Sequence, residues 1–232
     1  MRVAFFGGSF DPPHRGHVAL VRAAIDRVGL DRVVVAPVGA QPLKQQTLPA
    51  GFADRLAMAR LAFAGIPRTE VSTMDAPRPD GRPNYSIDTL YALRAELPVG
   101  ARISNLMGAD SFLSIGMWHR AQELLLACDW IVASRPGSDL GDFIAVLPDG
   151  IAIHPVEHSA EREVFAVRNL QHQESQLIVI PDLAEDISAT DVRDALASQA
   201  EGRELLLRAL LPPQVMRYIA DHDLYRQSEI EL

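Results

Sequence analysis

Two apolar runs near the start of the chain, Arg2-Val3-Ala4-Phe5-Phe6 and Arg32-Val33-Val34-Val35-Ala36-Pro37-Val38, flank a stretch of different rhythm. Between them Val18, Leu20, Val21, Ala24, Ile25 and Val28 recur at helical spacing, and Gly29 follows as a stop. Strand, helix and strand in so short a span fold as a β-α-β unit, with parallel strands joined by a right-handed crossover. The fold class expected is therefore α/β, built on an open parallel sheet. Gly7-Gly8 and Pro12-Pro13 punctuate the passage from the first strand into the helix.

That junction suits a polyphosphate. Glycines leave main-chain N–H groups open to a ligand, and the first turn of a helix presents unpaired N–H donors with a partial positive charge. His14 and His17 are three residues apart, so in a first helical turn both imidazoles leave from that same face, with Gly16 keeping it open. An H-x-x-H alone is more often the mark of a capped helix carrying two surface histidines. The glycine pair, the prolines and the preceding strand turn the balance toward a ligand site.

The chain has 232 residues, 48% of them hydrophobic, and a formal charge of -8. That charge argues against a nucleic-acid or anionic-membrane partner, which demands basic stripes. The one cysteine, Cys128, has no partner for an internal disulfide and reads as a buried small hydrophobe in a reducing compartment. Gly7 interrupts the only leader-like run, and no apolar stretch approaches the roughly 20 residues of a membrane helix. A cytoplasmic location is expected.

Further along, Phe52 to Phe63 has helical spacing and Glu70 to Thr73 reads as a short strand. A turn-rich loop ends at Ser86, the expected N-cap of a helix through Glu96. Ile103 to Met107, Asp129 to Ser134 and Leu177 to Ile180 read as buried strands, the second carrying Trp130 into the core. Residues 137 to 176 show no clear period. His154 and His158 lie there four apart, but Pro155 argues against the helix that a zinc pair at that spacing needs. Ser188 to Ala197, Leu205 to Leu211 and Pro213 to Asp221 read as helices. Residues 1 to 226 are expected to form one α/β domain that includes these helices, with 227 to 232 a loose tail.

The run Gly7-Gly8-Ser9-Phe10-Asp11-Pro12-Pro13-His14-Arg15-Gly16-His17 resembles the signature of the nucleotidylyltransferase superfamily, with its HxGH box at His14 to His17. The second box of that superfamily, ISxTxxR, appears as Ile187-Ser188-Ala189-Thr190-Asp191-Val192-Arg193. Ser188 with Asp191 also has the form of a capping box. Details between the boxes are similar to the bacterial nicotinate-nucleotide adenylyltransferases. The resemblance implies a Rossmann-like sheet with helices on both faces and a small C-terminal helical part. It implies transfer of the AMP part of ATP to nicotinate mononucleotide, giving deamido-NAD and pyrophosphate, with Mg²⁺ accompanying ATP.

The same resemblance assigns residues. His14, His17, Lys44 and Arg193 are the catalytic set, and Gly7, Gly8, Ser9, Phe10, Gly16, Gly108, Asp110, Ile187, Ser188 and Thr190 join Arg193 around ATP. Asn84-Tyr85-Ser86-Ile87-Asp88-Thr89-Leu90 and Met117-Trp118-His119 look like the segments that hold the pyridine nucleotide, which assigns Tyr85, Ser86, Thr89 and Trp118 to it. An indole face suits an electron-poor ring. Leu43 stands where the family shows a histidine and Gln41 where it shows a proline, and Arg55 resembles the arginine behind that loop. No resident protein-held metal is expected. Homo-oligomerisation is left open.

Because a phosphate monoester is already a nucleophile at neutral pH, it can attack the α-phosphorus with no protein base; catalysis is positioning and charge stabilisation. Nicotinamide mononucleotide or phosphopantetheine as acceptor, and a nucleotide sensor without turnover, remain the alternatives.

Overall fold

In the computed structural model the described residues are 1–40, 48–134, 140–181, 183, 187–198 and 200–225. The opening β-α-β unit forms as expected: β1 (Arg2–Gly8), α1 (Arg15–Val28) and β2 (Arg32–Pro37), with β1 and β2 parallel. Gly29 ends α1 in the left-handed region at φ 71°, its N–H returning to Ile25 O. A side chain there would be strained, which is why the helix stops at a glycine.

There follow α2 (Phe52–Phe63), β3 (Thr69–Val71), α3 (Ser86–Glu96), β4 (Arg102–Gly108), the one-turn α4 (Ala109–Phe112), a 3₁₀ turn at Ile115–Met117, α5 (Ala121–Ala127) and β5 (Asp129–Ala133). Tyr85, in extended backbone conformation, takes the N-cap place of α3, and Ser86 is its first helical residue rather than its cap.

Residues 137 to 176, which showed no period, hold α6 (Leu140–Ala145) and the strands β6 (Ile151–His158) and β7 (Glu163–Asn169). They lead into β8 (Glu174–Ile180) and the helices α7 (Ala189–Ala197), α8 (Arg203–Leu210) and α9 (Pro213–Asp221). The strand order is β3-β2-β1-β4-β5-β8-β7-β6. From β3 to β8 all neighbours are parallel, whereas β8, β7 and β6 pair antiparallel. The expected open parallel sheet is present from β3 to β8, and an antiparallel ribbon of β7 and β6 extends it into a mixed one. β6 was illegible because it is an edge strand, exposed along most of its length, with Pro155 and a bulge before Glu157.

Alternating strand residues feed two cores, one on each face of the sheet. Ala4, Phe6, Val33, Val35 and Ile131 meet Leu20 of α1, Met58 of α2, Val192 of α7, Leu207 of α8 and Val215 of α9. Val3, Phe5, Val34 and Trp130 meet Ile87, Phe112, Leu124 and Phe143 on the other face. The C-terminal helices therefore complete one of the two main cores rather than forming an appendage. Cys128 is buried, which pushes its thiol up to about 12, and Trp130 is fully buried with its indole N–H on Leu125 O at 3.1 Å. No helix among the described residues is long and apolar enough to cross a membrane.

Candidate active site

β1 pairs with β2 on one side and with β4 on the other, so the order of connection reverses between β1 and β4. In open α/β sheets such a switch point leaves a crevice at the carboxyl ends of the strands, where ligands bind. Gly7-Gly8 closes β1 there and Gly108 closes β4; the segment from β8 to α7 starts from the same edge.

The junction after β1 is shaped by its aromatic residue. Phe10 is fully buried, edge-on to Phe6 at 5.1 Å and to Phe63 at 5.8 Å, with φ at 48°. Its side chain is core, so any contact with a ligand falls to its backbone; nothing in the local residue pattern marks this division. His14 takes the extended N-cap position of α1, and His17 stands at the third helical residue. The His14 N–H donates to His17 Nδ1 at 3.1 Å, and the ring centroids lie 3.7 Å apart. An accepting Nδ1 puts the proton of neutral His17 on Nε2, where it is a donor.

Burial lowers the pKa of His14 to about 4, opposed by the nearby charge of Asp191, and lowers that of His17 well below its ordinary value, with help from His14. Both imidazoles are neutral at neutral pH.

The second box does form a capped helix start. Ser188 Oγ accepts from Asp191 N–H at 3.1 Å, and Asp191 Oδ2 accepts from Ser188 N–H at 3.0 Å. Arg193 then spans the two boxes: one guanidinium nitrogen donates to Asp11 O at 2.8 Å and the other to Thr190 Oγ1 at 3.0 Å. The two helix beginnings thus meet at one place, although they lie near opposite ends of the chain.

Asp11, which the sequence did not single out, sits at the centre of this meeting. It is fully buried, and Oδ1 accepts from Tyr225 O–H at 2.6 Å and Ala50 N–H at 3.2 Å. Arg55 is 2% exposed and donates to Ser9 O at 2.7 Å and Ala50 O at 3.2 Å, so it braces the glycine loop from behind. Asp11 Oδ2 and His14 Nδ1 are buried and lack a protein partner. Orphaned polar atoms in native folds call for an explanation, and both of these belong to the loop that faces the crevice.

The other proposed segments follow β3 and β4. Asn84 pins its loop by donating to Ala76 O at 2.9 Å and accepting from Ala40 N–H at 3.1 Å. Thr89 is buried, its hydroxyl committed to Asp75 Oδ1 at 2.7 Å, so it holds the loop in shape. Burial raises the pKa of Asp75, and the bonds from Thr89 and Asn84 oppose the rise. Tyr85 stacks on His119, with centroids 4.1 Å apart, and Ser86 is half-buried.

Trp118 is half-buried with its indole N–H on Ser114 Oγ at 2.8 Å, and it lines a cavity of about 480 Å³ with Gly116, Arg120 and Pro148. Asp110 is exposed in the first turn of α4, Gly16 is half-buried, and Ile187 is half-buried just before α7. Lys44, with Gln41 and Leu43, lies outside the described residues. His154 and His158 stand on the edge strand β6, away from this crevice, and no three metal-ligating side chains converge among the described residues.

Comparison with known proteins agrees with this architecture. The cytidylyltransferase-like family model matches residues 5–195. A probable nicotinate-nucleotide adenylyltransferase of Gloeobacter violaceus is 38% identical over 225 residues, covering 97% of this chain and 96% of that protein. One of Pectobacterium atrosepticum is 38% identical over 224 residues, covering 96% and 98%. Nicotinic acid mononucleotide adenylyltransferase of Plasmodium falciparum, solved in complex with NaAD, superposes with a TM-score of 0.69 over 97% of each chain at 17% identity, a likeness of fold. With full-length similarity to these relatives and both boxes gathered at one crevice, the chain belongs to the cytidylyltransferase-like family and, within it, to the nicotinate-nucleotide adenylyltransferases.

Proposed function

We propose that the protein joins nicotinate mononucleotide to the AMP part of ATP, releasing pyrophosphate and forming deamido-NAD. The observation that carries this is the bond from Arg193 to Asp11 O, which gathers a glycine-ended strand, a histidine pair and a second helix N-terminus around a single crevice.

A phosphate oxygen of the mononucleotide attacks the α-phosphorus of ATP in line, the bond from that phosphorus to the β-bridging oxygen breaks, and pyrophosphate leaves. No proton need be removed from the nucleophile. His17 donates from Nε2–H to an oxygen of the α-phosphate as charge gathers there, with His14 beside it. Arg193, Thr190 and the N–H groups opening α7 hold the outgoing phosphates, and the backbone of Gly8, Ser9 and Phe10 approaches them from the other side. Lys44 is assigned to the same phosphates.

Mg²⁺ bound with ATP would supply neutralisation of charge on the leaving group, and such an ion needs few protein ligands. Tyr85, Ser86 and Trp118 form the acceptor side, with the indole against the pyridine ring and Asp110 at a ribose.

Incubation with α-labelled ATP, Mg²⁺ and, in turn, nicotinate mononucleotide, nicotinamide mononucleotide and phosphopantetheine tests the proposal. The expected product is deamido-NAD with equimolar pyrophosphate, formed faster than either other product. No dinucleotide from any acceptor overturns it; faster use of the amide overturns the choice of acceptor.

A further inference from the structure

α9 ends at Asp221, and the turn after it folds back so that Leu224 and Tyr225 pack on the core beneath α1 and α2. Two phenols of this segment reach other elements. Tyr218 O–H donates to Asp54 Oδ1 at 3.0 Å on α2, whereas Tyr225 O–H donates to the fully buried Asp11 at 2.6 Å, across 214 positions of sequence. Besides Tyr225, Asp11 has the charge of the buried Arg55 nearby and one backbone donor. Oδ1 takes that longer bond, from Ala50 N–H, and Oδ2 has no protein partner. Its own carbonyl is the acceptor for Arg193.

We propose that Tyr225 is a positioning residue for adenylyl transfer: its hydroxyl fixes Asp11, and Asp11 through its carbonyl aims Arg193 at the triphosphate. The inference rests on the adenylyl-transfer function and adds the C-terminal turn to the machinery. Burial and the bond to Asp11 push the Tyr225 phenol well above its usual range, so it stays a donor at every workable pH. A guanidinium displaced by a fraction of an ångström loses much of its effect on a transferring phosphate, and a misplacement of about 1 Å can cost roughly 100-fold.

The experiment compares Tyr225→Phe with Tyr218→Phe, each in the native chain and in an Arg193→Ala background. Tyr225→Phe is expected to lower kcat about 10-fold to 100-fold while KM for nicotinate mononucleotide stays within about 2-fold, because the acceptor side is untouched. Tyr218→Phe removes an equivalent hydroxyl bond away from the loop and is expected to hold kcat within about 2-fold, with a similar loss of Tm. In the Arg193→Ala background Tyr225→Phe should add no more than about 2-fold, since it acts through the missing side chain.

Multiplying effects, an equal loss in Tyr218→Phe, or an unchanged kcat in Tyr225→Phe overturns the proposal. If Tyr225→Phe melts near the assay temperature, ATP binding below its Tm replaces turnover, with the same non-additivity required. A native chain that transfers nothing to any acceptor fails the underlying function; an active native chain indifferent to Tyr225→Phe fails the positioning role alone.

Discussion

Lowering the pH from 7 to 5 should destabilise the protein through His14 by an amount that can be worked out beforehand. In the folded chain the imidazole titrates at about 4, against 6.5 when unfolded, because burial disfavours its charged form. Between those values the unfolded chain binds a proton that the native chain refuses, so the stabilisation from a neutral His14 is fully present above 6.5 and is lost as pH falls toward 4. At about 1.4 kcal/mol per pH unit, the whole gap is worth about 3 kcal/mol, and the portion lost between pH 7 and pH 5 about 2 kcal/mol.

The groups facing the ring are His17, whose own lowered pKa acts in the same direction, and Asp191, whose charge works against the shift. His14→Asn isolates the effect, since asparagine is a good N-cap and does not titrate. Urea unfolding of both proteins at several pH values gives the difference in stability. That difference should narrow, in favour of the variant, by about 2 kcal/mol from pH 7 to pH 5. A difference that stays flat refutes the buried, neutral histidine and with it the assignment of His14 and His17 as uncharged donors.

His17→Ala removes the donor proposed to act on charge gathering at the α-phosphate, and it should lower kcat by about 100-fold to 1000-fold in a pyrophosphate-release assay. Gly39→Ala would place a Cβ 2.3 Å from Pro77 N and 2.4 Å from Pro77 Cα, both backbone; the loop must move, with a loss of about 1–3 kcal/mol in urea unfolding. Thr89→Val keeps the shape of the side chain but takes a hydrogen bond from the buried Asp75 carboxylate. It should cost about 1–3 kcal/mol, measured in the same way, and raise the Asp75 pKa further, followed by NMR titration.

The parts of this protein legible in the sequence are those whose chemistry is local. The opening unit was readable from two apolar runs and a 3.6-residue rhythm, and Gly29 stops α1 where a left-handed residue is needed. The Ser188 capping box was readable because cap and partner are three residues apart. Where burial is on one face only and the strand lies at an edge, as in β6, exposed and partly buried residues carry no strong alternation and the ribbon could not be seen. Phe10 could not be divided in advance into a buried ring and a backbone that borders the crevice, since the division follows from its packing on Phe6 and Phe63. Arg55 shows the same limit: a polar residue beginning a helix becomes a buried brace only once Ser9 and Ala50 are brought to it.

Asp11 shows why a motif and its mechanism can be legible while what holds them in place is not. In sequence it is a turn carboxylate between Phe10 and Pro12, inside a box whose histidines attract the attention. In space it receives Tyr225 on its side chain and Arg193 on its carbonyl, from positions 214 and 182 residues away. The groups proposed for catalysis can be recognised locally because, in that role, each presents a particular atom to phosphate. Their relative placement is set by hydrogen bonds between distant parts of the chain, and each such bond relies on a donor whose partner no spacing rule identifies. A substitution confined to the C-terminal turn is therefore expected to reach, through Arg193, the phosphates that leave, with both signature boxes intact.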